Sequence, residues 1–208
     1  MFEITLLRHA ESVGNAENLF QGHSDYPLTE LGRRQAQTLA DYWEAREVTY
    51  DLIICSPLLR AQQTAEIVNA ALKLPIELDP LLKERNLGDL ADLSFEEVLE
   101  QHPPPDFRSP YEPIAATGES LWELYLRAGQ AMQDIMQRPA GCYLVVSHGG
   151  LLNMALRTII GITPQLEFQD IGFRFNNTGY ARLRFNPAKY QWRIECLNNL
   201  THLDGKGI

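Results

Sequence analysis

The chain has 208 residues, 45% of them hydrophobic and 22% charged, with a formal net charge of −9. That length is long for one domain and short for two, so a single body over 1–208 carrying an insertion is expected. The acidic balance disfavours nonspecific binding to nucleic acid or an anionic membrane, both of which need a basic face, and no apolar run approaches the roughly 18 residues of a membrane helix.

Along the chain, short β-branched runs alternate with longer helical ones, the pattern of a mostly parallel sheet covered by helices. The first strand is FEITLLR, with no basic segment and apolar core ahead of it, so no secretory signal is read and a cytoplasmic location is expected. In PLTELGRRQAQTLADYWEAR the apolar residues Leu31, Ala36, Leu39, Ala40 and Trp43 fall at helical spacing, with Thr29 as cap. YDLIICSP reads as a second buried strand. Ser56 and Pro57 fit the cap and first position of the next helix, which places Arg60 in its first turn.

A short strand at LPIELD precedes the irregular LLKERNLGDLADL, and Ser94 with Glu97 forms a capping box for SFEEVLEQH. The proline-rich PPPDFRSPYEP cannot be regular structure and predicts an inserted lid over about 86–118. A long helix then runs from GES to about Arg138, CYLVVSHGG is a buried strand feeding the helix LLNMALRTIIG, and TGYARLRF and QWRIECL form a closing strand pair. Cys55, Cys142 and Cys196 sit in apolar runs at wide spacing and read as reduced thiols.

Two of these strands end in histidine, His9 after Arg8 and His148 before Gly149 and Gly150. Ligands of parallel-sheet proteins bind beyond the carboxyl ends of the strands, and a helix start offers unpaired backbone donors to an anion. Arg60 adds a cation at a third strand-to-helix junction. Alone, each arginine reads as a surface ion-pair partner and Glu84, in KER, as a solvated charge; the joint pattern reverses those odds. His23, His102 and His202 read as structural or exposed, and Asp25, Pro27 and Gly32 as turn and helix-entry residues. No second ligand pair accompanies Glu11 and His9 at metal spacing, so neither a metal site nor a cofactor is expected.

The segments LLRHAES with Asn15, QGHSDYPLTELGRRQA, CSPLLRAQQTA, KERNLGDL, GES and VVSHGG, in that order over positions 4 to 180, resemble the histidine phosphatase superfamily, the phosphoglycerate mutase-like fold. The resemblance implies an α/β three-layer sandwich, a mostly parallel central sheet with helices on both faces. It further implies metal-free phosphoryl transfer through a phosphohistidine. Matched residue by residue, His9 is the nucleophile and Glu84 the proton donor. Arg8, Arg60 and His148 form the phosphate pocket, Asn15 is an accessory contact, and Gln21, Gly22 and Gly149 border the phosphate.

Two departures stand out: Ala10 where the family usually has glycine, and Leu90, Ala91 and Asp92 where an aromatic-Glu-Gly is frequent. A mutase must retain a doubly anionic intermediate, yet Arg108 is the only Lys or Arg between Asn86 and Ser120, among Asp89, Asp92, Glu96, Glu97, Glu100, Asp106, Glu112 and Glu119. The expectation is therefore a phosphatase acting on a small phosphorylated metabolite. Phe95, Phe107, Tyr111, Trp122 and Tyr125 suggest a moderately apolar leaving group. A cofactor-dependent phosphoglycerate mutase and a noncatalytic phospho-ligand binding protein stand as alternatives.

Overall fold

The computed structural model describes residues 1–103, 109–166 and 171–205. Six strands form one sheet: β1 (Phe2–Arg8), β2 (Leu52–Cys55), β3 (Ile76–Leu78), β4 (Cys142–Ser147), β5 (Tyr180–Asn186) and β6 (Gln191–Asn199), in the order β3-β2-β4-β1-β5-β6. β1 pairs with β4, β4 with β2 and β2 with β3, all parallel. β5 lies antiparallel to β1, and β6 antiparallel to β5, as the closing pair predicted from sequence.

Successive side chains of a strand point to opposite faces, and the central strands use both. Ile4 and Leu6 of β1, Ile54 of β2 and Val145 of β4 enter one core, with Leu124, Ala128, Met132 and Ile135 of α5 (Leu121–Met136) and Leu152 and Leu156 of α6 (Gly149–Ile160). Leu7, Ile53, Leu144 and Val146 enter the other, with Leu39 and Trp43 of α2 (Glu30–Glu44) and Ala61, Ala65 and Val68 of α3 (Leu59–Leu72). Such runs of apolar residues on consecutive positions are what a strand covered on both faces requires. Each fully buried aliphatic side chain contributes about 1.5–3 kcal/mol, so the two layers rather than helix propensity hold the body together.

Polar residues fix where the helices begin. Ser12 makes a capping box with Asn15 at α1 (Val13–Ala16), Thr29 Oγ1 accepts from Gly32 N at 2.9 Å, and Ser94 and Ser120 make capping boxes with Glu97 and Glu123. The prediction that Ser56 caps α3 is not met. Leu58 occupies the cap position without a side-chain bond, and the donor at the helix start, Leu59 N, is taken by Asp25 Oδ1 at 2.8 Å, from 34 residues upstream. Asp25, read as a turn residue, is thus the long-range cap, and Ser56 Oγ accepts from Leu58 N at 3.3 Å, one residue ahead of the helix. Gly32 is required where it stands, because a Cβ there would fall on the Glu11 carbonyl.

The segment expected to be a lid contains a short 3-10 turn (Gly88–Leu90), α4 (Phe95–Gln101) and a second turn (Ile114–Ala116). The expected lid residues Asp106, Phe107 and Arg108 lie outside the described residues. Tyr111, Trp122 and Tyr125 stack in series, at centroid distances of 5.1 and 5.8 Å. No described helix is long and apolar enough to cross a membrane.

Candidate active site

The register of β1 and β4 sets Arg8 opposite Ser147, so the residues that follow leave the same edge side by side. His9 and His148 meet there with ring centroids 5.0 Å apart, and both are buried. Imidazoles separated by 139 positions in the chain are therefore neighbours because two parallel strands end together. β2, on the far side of β4, adds Ser56, whose hydroxyl lies 2.7 Å from His148 Nε2. The Ser56 hydroxyl thus joins Leu58 N, just ahead of α3, to the His148 ring.

The His9 ring has a defined orientation. Nδ1 lies 2.7 Å from Ala10 O, and a carbonyl can only accept, so Nδ1 carries the proton and Nε2 presents the lone pair. Burial holds His9 well below the usual histidine pKa, with the charges of Arg8 and Arg60 acting in the same direction. His148 is lowered likewise, by burial first and then by Arg60, His9 and Arg8. Two neutral imidazoles face each other beside two guanidinium groups.

Each guanidinium is oriented by backbone carbonyls. Arg8 Nη1 donates to Phe175 O at 2.7 Å. Arg60, in the first turn of α3 and only 1% exposed, donates from Nη1 to Ser24 O at 2.8 Å and from Nη2 to Gly22 O at 2.9 Å. Burial draws the Arg60 pKa down to about 10, so it remains cationic at neutral pH. What stays unpaired is informative: Arg8 Nε, Arg60 Nε and His148 Nδ1 are buried polar atoms without a hydrogen-bond partner. Buried donors are normally satisfied, and this set fits an anion with several acceptor oxygens, held by charge-assisted bonds.

Glu84 is half-buried, and its carboxylate accepts from Gly150 N at 3.0 Å, Leu151 N at 3.1 Å and Arg85 N at 2.8 Å. The anion attracted to the start of α6 is in part the protein's own carboxylate, which leaves Gly149 on the side of the arginines. A Cβ at Gly149 would stand 3.6 Å from Arg8 Nε, whereas one at Gly150 would collide with Glu84 Oε1. The second glycine of HGG is thus a close approach between a helix and a carboxylate.

The weaker site predictions occupy the supporting layer. Asn15 Oδ1 accepts from Ser12 N at 3.2 Å and from Asn177 Nδ2 at 3.1 Å. Gln21, buried, accepts on Oε1 from Ser12 Oγ at 2.8 Å. Gly22 adopts φ +50 and contributes its carbonyl to Arg60. His23, read as structural, sits 2.8 Å from Glu84 O through Nε2, and His202, buried, meets Thr178 Oγ1 at 2.9 Å.

Sequence reasoning missed four residues. These are Ser56, assigned to a cap; Asn177, which donates to His9 O at 3.1 Å; Phe175, through its carbonyl; and Thr64, which accepts from Ala10 N at 3.0 Å. The NNTG preceding β5 carried the signal for Asn177, a polar loop at a strand start. An antiparallel strand begins on the edge where its neighbour, here β1, ends. The departure at Ala10 is absorbed, since Ala10 is fully buried with Leu28 and Ala36 and is absent from the positive-φ residues. At the other departure Leu90 is buried, and Asp92 takes φ +69 and accepts from Ser24 Oγ at 2.9 Å and Tyr26 OH at 2.7 Å. It pins the segment after the Gly88–Leu90 turn to the loop that holds Arg60. Among the described residues, no group of three His, Cys, Asp or Glu side chains is placed to share a metal ion.

Comparison with known proteins agrees with this geometry. The profile of the histidine phosphatase superfamily (branch 1) matches residues 4–200, and the chain belongs to that superfamily. It is 35% identical over 215 residues to "Probable phosphoglycerate mutase GpmB" of Yersinia enterocolitica, covering 98% of this chain and 96% of that one. It is 34% identical over 207 residues to "Uncharacterized phosphatase PhoE" of Bacillus subtilis, covering 99% and 98%. Among solved structures, YhfR of Bacillus stearothermophilus superposes with a TM-score of 0.80 at 26% identity, covering 98% of this chain and all of that one. The α-ribazole phosphatase of Shigella flexneri gives a TM-score of 0.79 at 25% identity, covering 96% and 97%.

Proposed function

We propose that the chain is a metal-independent phosphomonoester hydrolase that acts on a small phosphorylated metabolite through a phosphohistidine at His9. The observation that carries the reading is the group of unpaired buried donors, Arg8 Nε, Arg60 Nε and His148 Nδ1, beside an imidazole whose Nε2 lone pair is free. A phosphoryl group supplies the acceptors these donors lack.

In the first step His9 Nε2 attacks phosphorus, the N–P bond forms and the ester P–O bond breaks, while Glu84 delivers a proton to the departing oxygen. Covalent catalysis of this kind splits one difficult hydrolysis into two easier steps. The Ala10 carbonyl, bonded to Nδ1–H, stabilises the positive charge that the ring gains on phosphorylation. Ser56 can donate its hydroxyl proton to His148 Nε2, leaving N–H at Nδ1 to face a phosphoryl oxygen. In the second step the Glu84 carboxylate takes a proton from water, the hydroxide attacks phosphorus and the N–P bond breaks, giving inorganic phosphate and neutral His9. The arginines, His148 and Gly149 N–H hold the equatorial oxygens, whose charge a metal ion would otherwise offset.

Hydrolysis rather than mutase action is supported by the lid. From Gly88 to Glu119 the only Lys or Arg is Arg108, against eight carboxylates, an environment that repels a second anionic group. A cytoplasmic setting accompanies the reading, supported by three unpaired cysteines. The decisive experiment is phosphate release from an aryl phosphate with chelator present, together with trapping of an acid-labile phosphohistidine. His9→Ala should abolish both while the fold persists; retained turnover in that variant would overturn the reading. Interconversion of phosphoglycerates stimulated by a bisphosphorylated primer would instead establish the mutase.

A further inference from the structure

We propose, given the reading of Glu84 as proton donor, that Glu119 and Arg127 are a positioning pair that aims the Glu84 carboxyl at the leaving-group oxygen. Glu84 sits in the irregular segment between two 3-10 turns, Pro80–Leu82 and Gly88–Leu90, with no strand ladder or helix to fix its backbone. A proton donor on such a loop needs another restraint, because a displacement of about 1 Å in a catalytic geometry can cost about 10²-fold.

The restraint comes from α5. Arg127 Nη1 donates to Leu81 O and to Lys83 O, both at 2.7 Å, and Nη2 donates to Glu84 O at 3.1 Å. The guanidinium is in turn gripped by Glu119 through two bonds, Nε to Oε1 at 2.8 Å and Nη2 to Oε2 at 2.7 Å. All five N–H donors of the guanidinium thus have acceptors, three of them carbonyls at or just before Glu84. Glu119 holds the other side of the loop: Oε2 accepts from Asn86 N at 3.1 Å, its carbonyl accepts from Arg85 Nε at 2.8 Å, and its N–H donates to Asn86 O at 2.8 Å. Backbone or side chain of residues 81, 83, 84, 85 and 86 is tied to this one pair.

The pair is not an ordinary surface ion pair. Its side chains are only 18% and 13% exposed, and the planar fork is used at full capacity, which lysine cannot reproduce. It makes no described hydrogen bond with Arg8, Arg60, His9 or His148; its bonds run to the loop that carries Glu84. The acid is held at both ends, its carbonyl by Arg127 and its carboxylate by Gly150 N and Leu151 N at the start of α6. Because α6 follows directly on His148, this suspension sets the distance from proton donor to phosphate pocket.

Positioning of an acid has a signature that general destabilisation lacks, since only poor leaving groups need the proton. The test compares kcat/KM, which covers the steps up to phosphoryl transfer, on an alkyl phosphate and on 4-nitrophenyl phosphate for the wild type, Arg127→Lys, Glu119→Gln and Glu84→Gln. Arg127→Lys and Glu119→Gln should each lose about 10²-fold on the alkyl ester and less than about threefold on the nitrophenyl ester, with inhibition by inorganic phosphate unchanged. Equal losses on both esters, or no loss on either, would overturn the proposal. Should Arg127→Lys not fold, Glu119→Gln, which keeps the shape of the pair, carries the same comparison. Glu84→Gln separates the two ideas. If it fails to discriminate between the esters, the assignment of Glu84 as acid falls and the pair with it; if it discriminates and the pair variants do not, only the pair's role falls.

Discussion

At the scale of single residues, the site depends on His9 being uncharged when substrate arrives. Burial and two neighbouring guanidinium groups lower its pKa well below 6.5, so the ring should stay neutral from pH 8 to pH 6. An NMR titration of the histidine signals, assigned with His9→Ala, checks this; a midpoint near the unperturbed value would contradict the electrostatic account. Asn177 acts less directly, through the His9 carbonyl and Asn15. Asn177→Ala removes one donor from each acceptor, while Ser12 N still serves Asn15 Oδ1 and Thr178 N the His9 carbonyl, at a cost of about 0.5–1.5 kcal/mol per lost bond. Activity on all esters should fall together, in contrast to the leaving-group selectivity expected around Glu84.

Elements position these residues through their ends. Gly150, in the first turn of α6, is the sharpest case. In a helix interior alanine is favoured over glycine by about 0.5–1 kcal/mol, yet a Cβ at this position would fall on Glu84 Oε1. Gly150→Ala should therefore keep its melting temperature and lose about 10²-fold in kcat/KM on an alkyl phosphate; wild-type turnover would show that the carboxylate does not need its place on α6. The start of α3 is held from a distance, by Asp25 on Leu59 N. Asp25→Ala should cost about 1 kcal/mol, or roughly 2–4 °C in Tm for a chain of this size, measured by thermal denaturation. Ser-Pro ahead of a helix is a sound local cap signal, and Ser56 Oγ does accept from Leu58 N, but α3 begins only at Leu59, and the same hydroxyl meets His148 because β2 lies beside β4. Nothing within five residues of Ser56 could reveal that neighbour.

The molecule as a whole couples stability to pH through its buried histidines. His202, in the turn Thr201–Leu203 and against Thr178, is lowered to about 4, and burial lowers His9 and His148 well below the usual histidine value. The unfolded chain binds protons near pH 6.5 and the folded one does not, so stability is full above that value and is lost as pH falls from 6.5 toward 4. Tm should drop across this interval, and His202→Gln should flatten the slope between pH 6.5 and 4; an unchanged slope would assign the acid sensitivity to carboxylates alone.

The amino-acid order by itself determined the alternation of strands and helices, the two apolar strands that deliver His9 and His148, the arginine in the first turn of α3 and the capping box of α4. Each of these is set by neighbours within a few positions, through side-chain periodicity or a local hydrogen bond, and periodicity is visible in one dimension. Only the tertiary structure decided that Ser56 serves His148, that Asn177 reaches the His9 carbonyl from an antiparallel strand start, and that Glu84 hangs between Arg127 and the first turn of α6. Those contacts join segments 43 to 168 positions apart, and which distant hydrogen-bonding groups meet is fixed by strand order and direction.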